Sequence, residues 1–238
     1  MSNDLLWLIL SYVAVGLIIG IATWAGTGGG RSPEITRKII HIGVGTWIIP
    51  TTLFFDSPWM AIIPPASFVL INLLSYRFHL VKAMEDGDRN PGTIYFPLAF
   101  VILILLFWPG GIWADQAAGI PERAARLPAL AGILVLAWGD AAAAIIGRAV
   151  GRHRYRAFGA TRSYEGSLAF VVFGTLAIVV SRLLVAEPPA GGSAVLTPLI
   201  PYSLLRVLPA TLLEAVTPFG LDNLVVPMAV ALMVFCFG

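Results

Sequence analysis

Charged and polar side chains that could carry out chemistry lie inside or directly beside long apolar segments of this 238-residue chain. Ionisable groups are costly in a hydrocarbon environment and usually mark a working site. Carboxylates there could hold a metal ion or accept a proton, whereas arginine, lysine and histidine could bind an anion. The residues of interest are Arg37, Lys38, His41, Asp140, Arg148, Arg152, Arg162, Glu165, Glu214, Asp222 and Asn223.

The first group lies near the start of the second apolar segment. Arg37 and His41 are four residues apart and would share one face of a helix, with Lys38 on a neighbouring stripe. Two cations and an imidazole could together bind phosphate oxygens. In the alternative interpretation, Arg37 and Lys38 extend to lipid head groups and His41 packs with one internal hydrogen bond.

Asp140 lies deep in an apolar segment, about 12 Å inside the end of its helix at a rise of 1.5 Å per residue. A carboxylate there requires a divalent metal, a basic partner or a water-filled cavity. The small residues Ala144, Gly147 and Gly151 continue on roughly the same face. Either a ligand or the backbone of another helix could approach them closely.

An arginine-rich loop precedes the sixth apolar segment. Positive charge and hydroxyl groups before a helix favour anion binding, because free backbone N–H groups and the helix dipole add to the side chains. Alternatively, the arginines fix the topology and attract anionic lipids. The loop and its flanks contain Arg148, Arg152, Arg154, Arg156, Arg162, Ser163, Glu165, Gly166 and Ser167.

Glu214, Asp222 and Asn223 flank a Pro/Gly turn between the last two apolar segments. Oxygen ligands of this kind suit Mg²⁺. Asp222 or Asn223 could instead cap a helix, which would leave Glu214 unexplained.

The composition excludes an ordinary soluble domain. Of all residues 58% are hydrophobic and only 12% are charged, whereas soluble domains carry roughly 25% charged residues. Apolar runs of about 20 residues can cross a hydrocarbon core of ~30 Å as helices. We therefore expect an all-α polytopic bundle of seven or eight spans, with residues 1–238 forming a single domain. The predicted spans are 4–25, 35–55, 59–76, 93–108, 127–148, 166–186, 199–215 and 224–237.

The seventh of these spans is unusual. Pro201, Arg206 and Pro209 interrupt its apolar run, so a re-entrant or interfacial helix is an alternative there.

The basic residues predict the orientation. By the positive-inside rule, the connections after the first, third and fifth spans face the cytosol. The candidate site then lies on the cytoplasmic side of the cell (inner) membrane, and with eight spans both termini lie outside. This arrangement indicates a membrane enzyme that handles a cytosolic anion. The basic residues of the three connections are Arg31, Arg37 and Lys38, then Arg77, Lys82 and Arg89, then the arginine-rich loop.

Other partners receive little support from the sequence. The net charge of +2 is modest and the basic residues sit in short loops, which argues against nucleic acid. Cys236 is the only cysteine and excludes an internal disulfide. Gly16 and Gly20 form a GxxxG pattern that permits a homodimer.

Taken in order, four motifs resemble those of the polyprenol kinase family, which includes dolichol, phytol and farnesol kinases. The resemblance implies a CTP-dependent, Mg²⁺-assisted transfer of the γ-phosphoryl group to the hydroxyl of an isoprenoid alcohol. The products would be a prenyl monophosphate and CDP, and the short chain is closest in size to phytol and farnesol kinases, with phytol or geranylgeraniol the first expectation. The family usually has Lys-Ser where this chain has Arg162-Ser163. The motifs are Arg37-Lys38-x-x-His41, Gly139-Asp140-x-x-Ala143 leading to Gly147-Arg148-x-x-Gly151, Arg162-Ser163-x-Glu165-Gly166-Ser167, and Glu214-Ala215 with Asp222-Asn223-x-x-Val226-Pro227.

The resemblance also implies roles for the site residues. Asp140, Glu214 and Asp222 would hold the metal, and Asp140 or Asp222 would accept the proton, with His41 in the catalytic group. The triphosphate and its loop would be held or ordered by Arg37, Lys38, Arg148, Arg152, Arg162, Ser163, Glu165, Gly166, Ser167 and Asn223.

Other functions remain open at this point. A CTP-dependent diacylglycerol or dolichol kinase would share these motifs, and a lipid cytidylyltransferase would use the same nucleotide but release pyrophosphate. An ion-coupled transporter could use Asp140 and Glu214 as a relay, although no internal repeat is evident in the sequence.

Overall fold

Helices build most of the chain in the computed structural model, which describes residues 3–28, 33–78, 91–113, 120–158, 160–185 and 199–237. Arg31, Lys82 and Arg89 lie outside these ranges. The helices are α1 (Asn3–Gly28), α2 (Pro33–Thr46), α3 (Ile48–Phe54), α4 (Pro58–Ala61), α5 (Ile63–Phe78), α6 (Gly92–Phe107), α7 (Glu122–Ala125), α8 (Leu127–Leu134), α9 (Ala141–Val150), α10 (Tyr164–Val185), α11 (Leu199–Val216) and α12 (Asp222–Phe237).

Within the described ranges, five helical runs are long and apolar enough to cross a membrane, so the predicted all-α polytopic membrane fold is confirmed. Helices α6 and α12 have 16 residues each and are shorter than these five. The number of seven or eight spans stays a prediction. The five runs are Asn3–Gly26, Pro58–Phe78, Leu127–Val150, Tyr164–Val185 and Leu199–Val216.

The predicted seventh span forms one 18-residue helix, α11. Pro201 falls in its first turn, where a missing N–H breaks no intrahelical hydrogen bond, and Pro209 is accommodated inside the helix. The described residues therefore do not show the helix break that a re-entrant segment would require. Two other predicted spans are divided: residues 35–55 at Trp47, between α2 and α3, and residues 59–76 at Ile62, between α4 and α5.

The run from α8 to α9 is the centre of the bundle. Its side chains Leu130, Ile133 and Leu134 are fully buried and share one apolar core with Leu103 of α6 and Phe170 of α10. By contrast, α1 and α5 lie at the periphery, and side chains such as Leu17 of α1 and Leu70 of α5 are exposed. An apolar exterior of this kind is what a lipid environment favours.

The central run departs from the single α-helix predicted for residues 127–148. Residues Val135–Asp140 form a π-helical segment between α8 and α9. A π segment inserts one extra residue into a helix, and such segments are frequent at functional sites. Asp140 is its last residue.

The arginine-rich loop also contains regular structure that the sequence analysis did not predict. Strands β1 (Arg154–Ala157) and β2 (Ala160–Ser163) pair antiparallel, with Arg154 opposite Ser163. Arg154 and Arg156 are exposed while Tyr155 is half-buried, as the two-residue period of a strand requires. Phe158 follows β1 with a φ of +46°, in the left-handed region. This hairpin leads directly into α10.

At one end of the bundle, named here the Arg126 end, residues near the start and near the end of the described chain both pack against neighbouring helices. Arg126 is buried beside α8, and its Nη1 donates hydrogen bonds of 2.7 Å to the carbonyl oxygens of Thr52 and Phe55. Its guanidinium carbon lies 4.7 Å from the centre of the Trp108 ring. Here Asp4 accepts hydrogen bonds from the backbone N–H groups of residues 56 and 57, and the ring of residue 235 packs against that of residue 107.

The Arg126→Met variant should be less stable than the wild type. The substitution keeps a long side chain but removes both hydrogen bonds to the carbonyl oxygens of Thr52 and Phe55. Hydrogen bonds from charged groups contribute about 1.5–3 kcal/mol each, so we expect the loss of the two to cost about 3–6 kcal/mol. Thermal unfolding in detergent measures it, with exposed Arg123→Met as the matched control. Equal melting temperatures for the two variants would contradict the structural role of Arg126.

Candidate active site

Asp140 has a basic partner at the end of the bundle opposite Arg126. The carboxylate is 2% exposed, and Lys38 Nζ donates a 2.5 Å hydrogen bond to its Oδ2 atom. His41 Nε2 lies 3.6 Å from the same oxygen. Lys38 and His41 are three residues apart on α2, so one helix face presents both to Asp140. The structure thus brings together two of the motifs that the sequence analysis singled out.

Close packing fixes α2 against the π segment. A Cβ atom added at Gly45 would lie 2.2 Å from the Cβ of Ala137, a separation that real side chains do not tolerate. At the next residue of each helix, Trp138 Nε1 donates to Thr46 Oγ1 at 2.9 Å, and that hydroxyl donates to the carbonyl of Ile42 at 2.7 Å. These contacts hold the helix that carries Lys38 beside the segment that carries Asp140.

The imidazole of His41 packs on an aromatic ring. Its centroid lies 3.9 Å from that of Phe96, near the start of α6. His41 Nε2 is buried and has no hydrogen-bond partner among the described residues. The imidazole is thus packed against an aromatic ring with its Nε2 atom on the side of Asp140.

A second cation and two more carboxylates complete the cluster. Arg162, the third residue of β2, places Nη1 2.7 Å from Glu214 Oε1 and Nη2 3.7 Å from Asp222 Oδ2. Its Nη2 also donates to the backbone oxygen of Glu214 at 3.3 Å. Glu214 is 1% and Asp222 9% exposed. Arg162 therefore links the hairpin to the last turn of α11 and the first turn of α12.

The three carboxylates Asp140, Glu214 and Asp222 converge although they come from three different elements. One oxygen atom of each lies within 4.8 Å of the others. Although Arg162 Nη1 is close to Glu214 Oε1, this buried oxygen has no partner in hydrogen-bonding geometry among the described residues. Hard oxygen donors in this number, with one still unsatisfied, fit a magnesium-type cation.

Asn223 lies beside the cluster but takes part in the turn between α11 and α12. Its backbone N–H donates to Asp222 Oδ1 at 3.0 Å, and its Nδ2 donates to the carbonyl of Gly220 at 3.1 Å. These bonds orient Asp222 at the start of α12. The position of Asn223 is thus explained by the turn itself.

The remaining predicted loop residues tie the hairpin to α10. Ser163 Oγ accepts the N–H of Gly166 at 3.1 Å, as an N-cap does. Glu165 Oε1 lies 2.7 Å from His153 Nδ1, and Ser167 Oγ lies 2.7 Å from the Tyr155 hydroxyl. These three side chains order the approach of Arg162 to the carboxylates.

Small residues allow α9 and α10 to meet closely beneath this loop. A Cβ at Gly166 would lie 2.8 Å from the carbonyl oxygen of Ala143, and one at Gly147 would lie 3.0 Å from Ser163 Oγ. The sequence allowed either a ligand or another backbone to approach the small residues of α9. The structure shows the backbone of α10 there.

Three further arginines were predicted as phosphate ligands. Arg37, Arg148 and Arg152 are exposed, and Arg148 pairs with Glu34 near the start of α2. Among the described residues, the cations in contact with the three carboxylates are Lys38 and Arg162, with His41 beside them.

The sequence analysis missed several residues that support the site. Phe96, Trp138 and Thr46 position α2, while His153 and Tyr155 hold the hairpin. The first three lie in apolar runs, where an aromatic or a threonine gives no distinctive signal, and His153 and Tyr155 lie in the arginine-rich loop, where the arginines dominate the pattern. Their contribution becomes visible only through the contacts that the fold creates.

A cavity of about 230 Å³ at the Arg126 end is remote from this chemistry. Its lining includes Trp108, Trp113, Glu122 and Phe235. The candidate site is therefore defined by its convergent charges and not by this cavity.

Comparisons with known proteins assign the chain to a family. No protein-family model matches it, and no solved structure does. The chain is 34% identical over 201 residues to a phytol kinase of Synechocystis sp. (strain ATCC 27184 / PCC 6803 / Kazusa), a match that covers 84% of this chain and 78% of that protein. It is also 26% identical over 215 residues to a dolichol kinase of Mus musculus, covering 83% of this chain and 38% of that longer protein. With this similarity extending over most of its length, the chain belongs to the polyprenol kinase family and is a membrane-bound phosphotransferase that acts on an alcohol group.

Proposed function

We propose that the protein is a CTP-dependent kinase of an isoprenoid alcohol, with phytol, geranylgeraniol or farnesol as substrate. The alcohol oxygen would form a bond to the γ-phosphorus, the bond from that phosphorus to the β–γ bridging oxygen would break, and the alcohol proton would pass to a carboxylate. The products are a prenyl monophosphate and CDP. The observation that carries this proposal is the buried cluster of three carboxylates with Lys38 and Arg162.

Phosphoryl transfer requires mainly positioning and charge neutralisation. Asp140, Glu214 and Asp222 would hold Mg²⁺, which when bound supplies neutralisation of phosphate charge. Lys38 and Arg162 contact these carboxylates, and we propose that both cations also bind triphosphate oxygens. This division of roles follows the charges that the fold brings together.

Asp140 is our choice of proton acceptor. Lys38 and His41 both face its Oδ2 atom, which fixes the orientation of the carboxylate. The π segment and α2 hold these groups from two sides, so the acceptor is positioned before the alcohol binds. Asp222 is the alternative acceptor, because it belongs to the same cluster and is more exposed.

The outer arginines would serve the approach of the nucleotide. Arg37, Arg148 and Arg152 are exposed near the cluster, and a field of one sign raises the local concentration of an anion. By the positive-inside rule we propose that this end faces the cytoplasm, with both termini on the other side. The alcohol would enter from the bilayer among the apolar helices.

The direct test is phosphate transfer by the purified, detergent-solubilised protein. Phytol, geranylgeraniol, farnesol, dolichol and diacylglycerol are each offered with CTP or ATP, with and without Mg²⁺. Metal-dependent formation of a prenyl phosphate and CDP supports the proposal and identifies the alcohol. Release of pyrophosphate would replace it by cytidylyl transfer, and phosphorylation of diacylglycerol alone would reject the isoprenoid substrate.

Asp140→Asn should reduce phosphate transfer by about 10²- to 10⁴-fold, the usual contribution of a positioned acid or base. Asparagine preserves the size of the side chain but cannot accept the proton. The rate is measured under saturating substrates, alongside the yield of folded protein. Asp56→Asn, at the Arg126 end, is the control and should retain full activity. Near-normal transfer by Asp140→Asn would remove this residue from the mechanism.

Glu214→Gln should raise the Mg²⁺ concentration needed for half-maximal transfer by about tenfold or more. Even partners outside the metal's own ligands typically change metal affinity by about 10–100-fold, and Glu214 is proposed as a direct ligand. Chelation of divalent ions should abolish wild-type activity, and added Mg²⁺ should restore it. An unchanged metal requirement would exclude Glu214 from the metal site.

Gly45→Ala should lower transfer by roughly 10²-fold, because a displacement of about 1 Å in a reacting group has an effect of that size. The added methyl group would push α2 away from Ala137 and thereby move Lys38 and His41 from Asp140. Gly16→Ala is the matched control, since nothing lies within 4 Å of a Cβ at that position. Equal activities of the two variants would show that the α2 contact does not position the site.

A further inference from the structure

A second group of positive charges lies on α10 and α11, with Arg206 about two helical turns before Glu214 on α11. The guanidinium carbon of Arg182 is 4.1 Å from the centre of the Tyr202 ring, and that of Arg206 is 3.3 Å from the same point. Two cations are thus close neighbours over one tyrosine. Arg206 Nη2 donates to the carbonyl of Phe237, which places the group at the Arg126 end of the bundle.

Arg206 is only partly satisfied by the protein. It is 4% exposed, and besides capping the end of α12 it donates from Nη1 to the Tyr202 carbonyl at 2.8 Å. Its buried Nε has no hydrogen-bond partner among the described residues, and neither has the Tyr202 hydroxyl. Two buried polar groups at one place are therefore left without a partner among the described residues.

Arg182 gives the stronger evidence that an anion binds here. It is half-buried in the last turn of α10, where its contact is with the Tyr202 ring. Within the ranges that the structure describes, no carboxylate forms an ion pair with Arg182 or Arg206. Arginines within membrane segments are normally neutralised, and two like charges in contact with one ring increase the need for an anion.

The surroundings indicate where the anion comes from. Leu183, Ile200 and Leu205 are between 54% and 69% exposed on the same two helices, so this side of the bundle faces lipid. An arginine near the end of an apolar helix extends to the head-group layer. Guanidinium groups match the oxygens of phosphate, and a phenol hydroxyl adds one more donor.

We propose that Arg182, Tyr202 and Arg206 bind the phosphate of an anionic lipid head group, in the leaflet opposite the active site. The proposal is independent of the nucleotide and of the alcohol, because it involves the other end of α10 and α11. It assigns these residues to the binding of a membrane lipid that the protein does not convert.

The test compares the melting temperature of the full chain in vesicles of phosphatidylglycerol and of phosphatidylcholine. We expect the wild type to melt several degrees higher in the anionic lipid, because a ligand that binds only the folded state stabilises it. Arg182→Gln should lose most of this difference while melting normally in phosphatidylcholine, and Arg182→Lys should retain part of it. Arg123→Gln removes an exposed arginine at the same end and should keep the full difference.

Several outcomes would overturn the proposal. Equal destabilisation of Arg182→Gln in both lipids would mean that the arginine has an internal structural role. Loss of the difference in Arg123→Gln as well would indicate general surface charge. If inorganic phosphate stabilised the protein in phosphatidylcholine as much as the anionic lipid does, the ligand would be free phosphate and not a head group.

Discussion

Three carboxylates within 4.8 Å of one another, in a bundle that is otherwise apolar, repel each other and require cations. Lys38 places one positive charge beside Asp140, and Arg162 places another beside Glu214 and Asp222. Much of the local architecture follows from this requirement. α2 must approach the centre to deliver Lys38, and the hairpin must turn back over α10 to deliver Arg162.

The two cations reach the cluster by different physical means. Lys38 is carried on a helix whose distance is set by the contact of Gly45 with Ala137, so packing controls it. Arg162 is carried on a strand whose position depends on hydrogen bonds made by Ser163, Glu165 and Ser167. A helix face is rigid, whereas a two-stranded hairpin is marginally stable by itself. The side chains that anchor the hairpin are therefore as necessary to the site as the residue that it presents.

The sequence predicted the membrane class and the residues of the cluster because both leave strong local signals. Apolar runs are visible in composition, and an aspartate within such a run is conspicuous. The sequence did not reveal that Lys38 would be the partner of Asp140, since that pairing joins distant segments and depends on tertiary packing. The hairpin was missed because four-residue strands in an arginine-rich stretch resemble a loop. Trp138 and Thr46 were missed because a hydrogen bond between two helices has no sequence pattern.

The π segment determines which residues of the central run lie on the same face of the helix. Its additional residue shifts the phase of the central run by about 100° between the part before Val135 and the part after Asp140. Leu130 and Leu134, before the π segment, therefore point into the core. After it, where the helix faces are rotated, Gly147 packs against α10 and Arg148 pairs with Glu34. A helical wheel drawn with one uniform step through residues 127–150 would assign wrong neighbours to half of this run. The faces of this helix must therefore be assigned separately for the residues before Val135 and for those after Asp140.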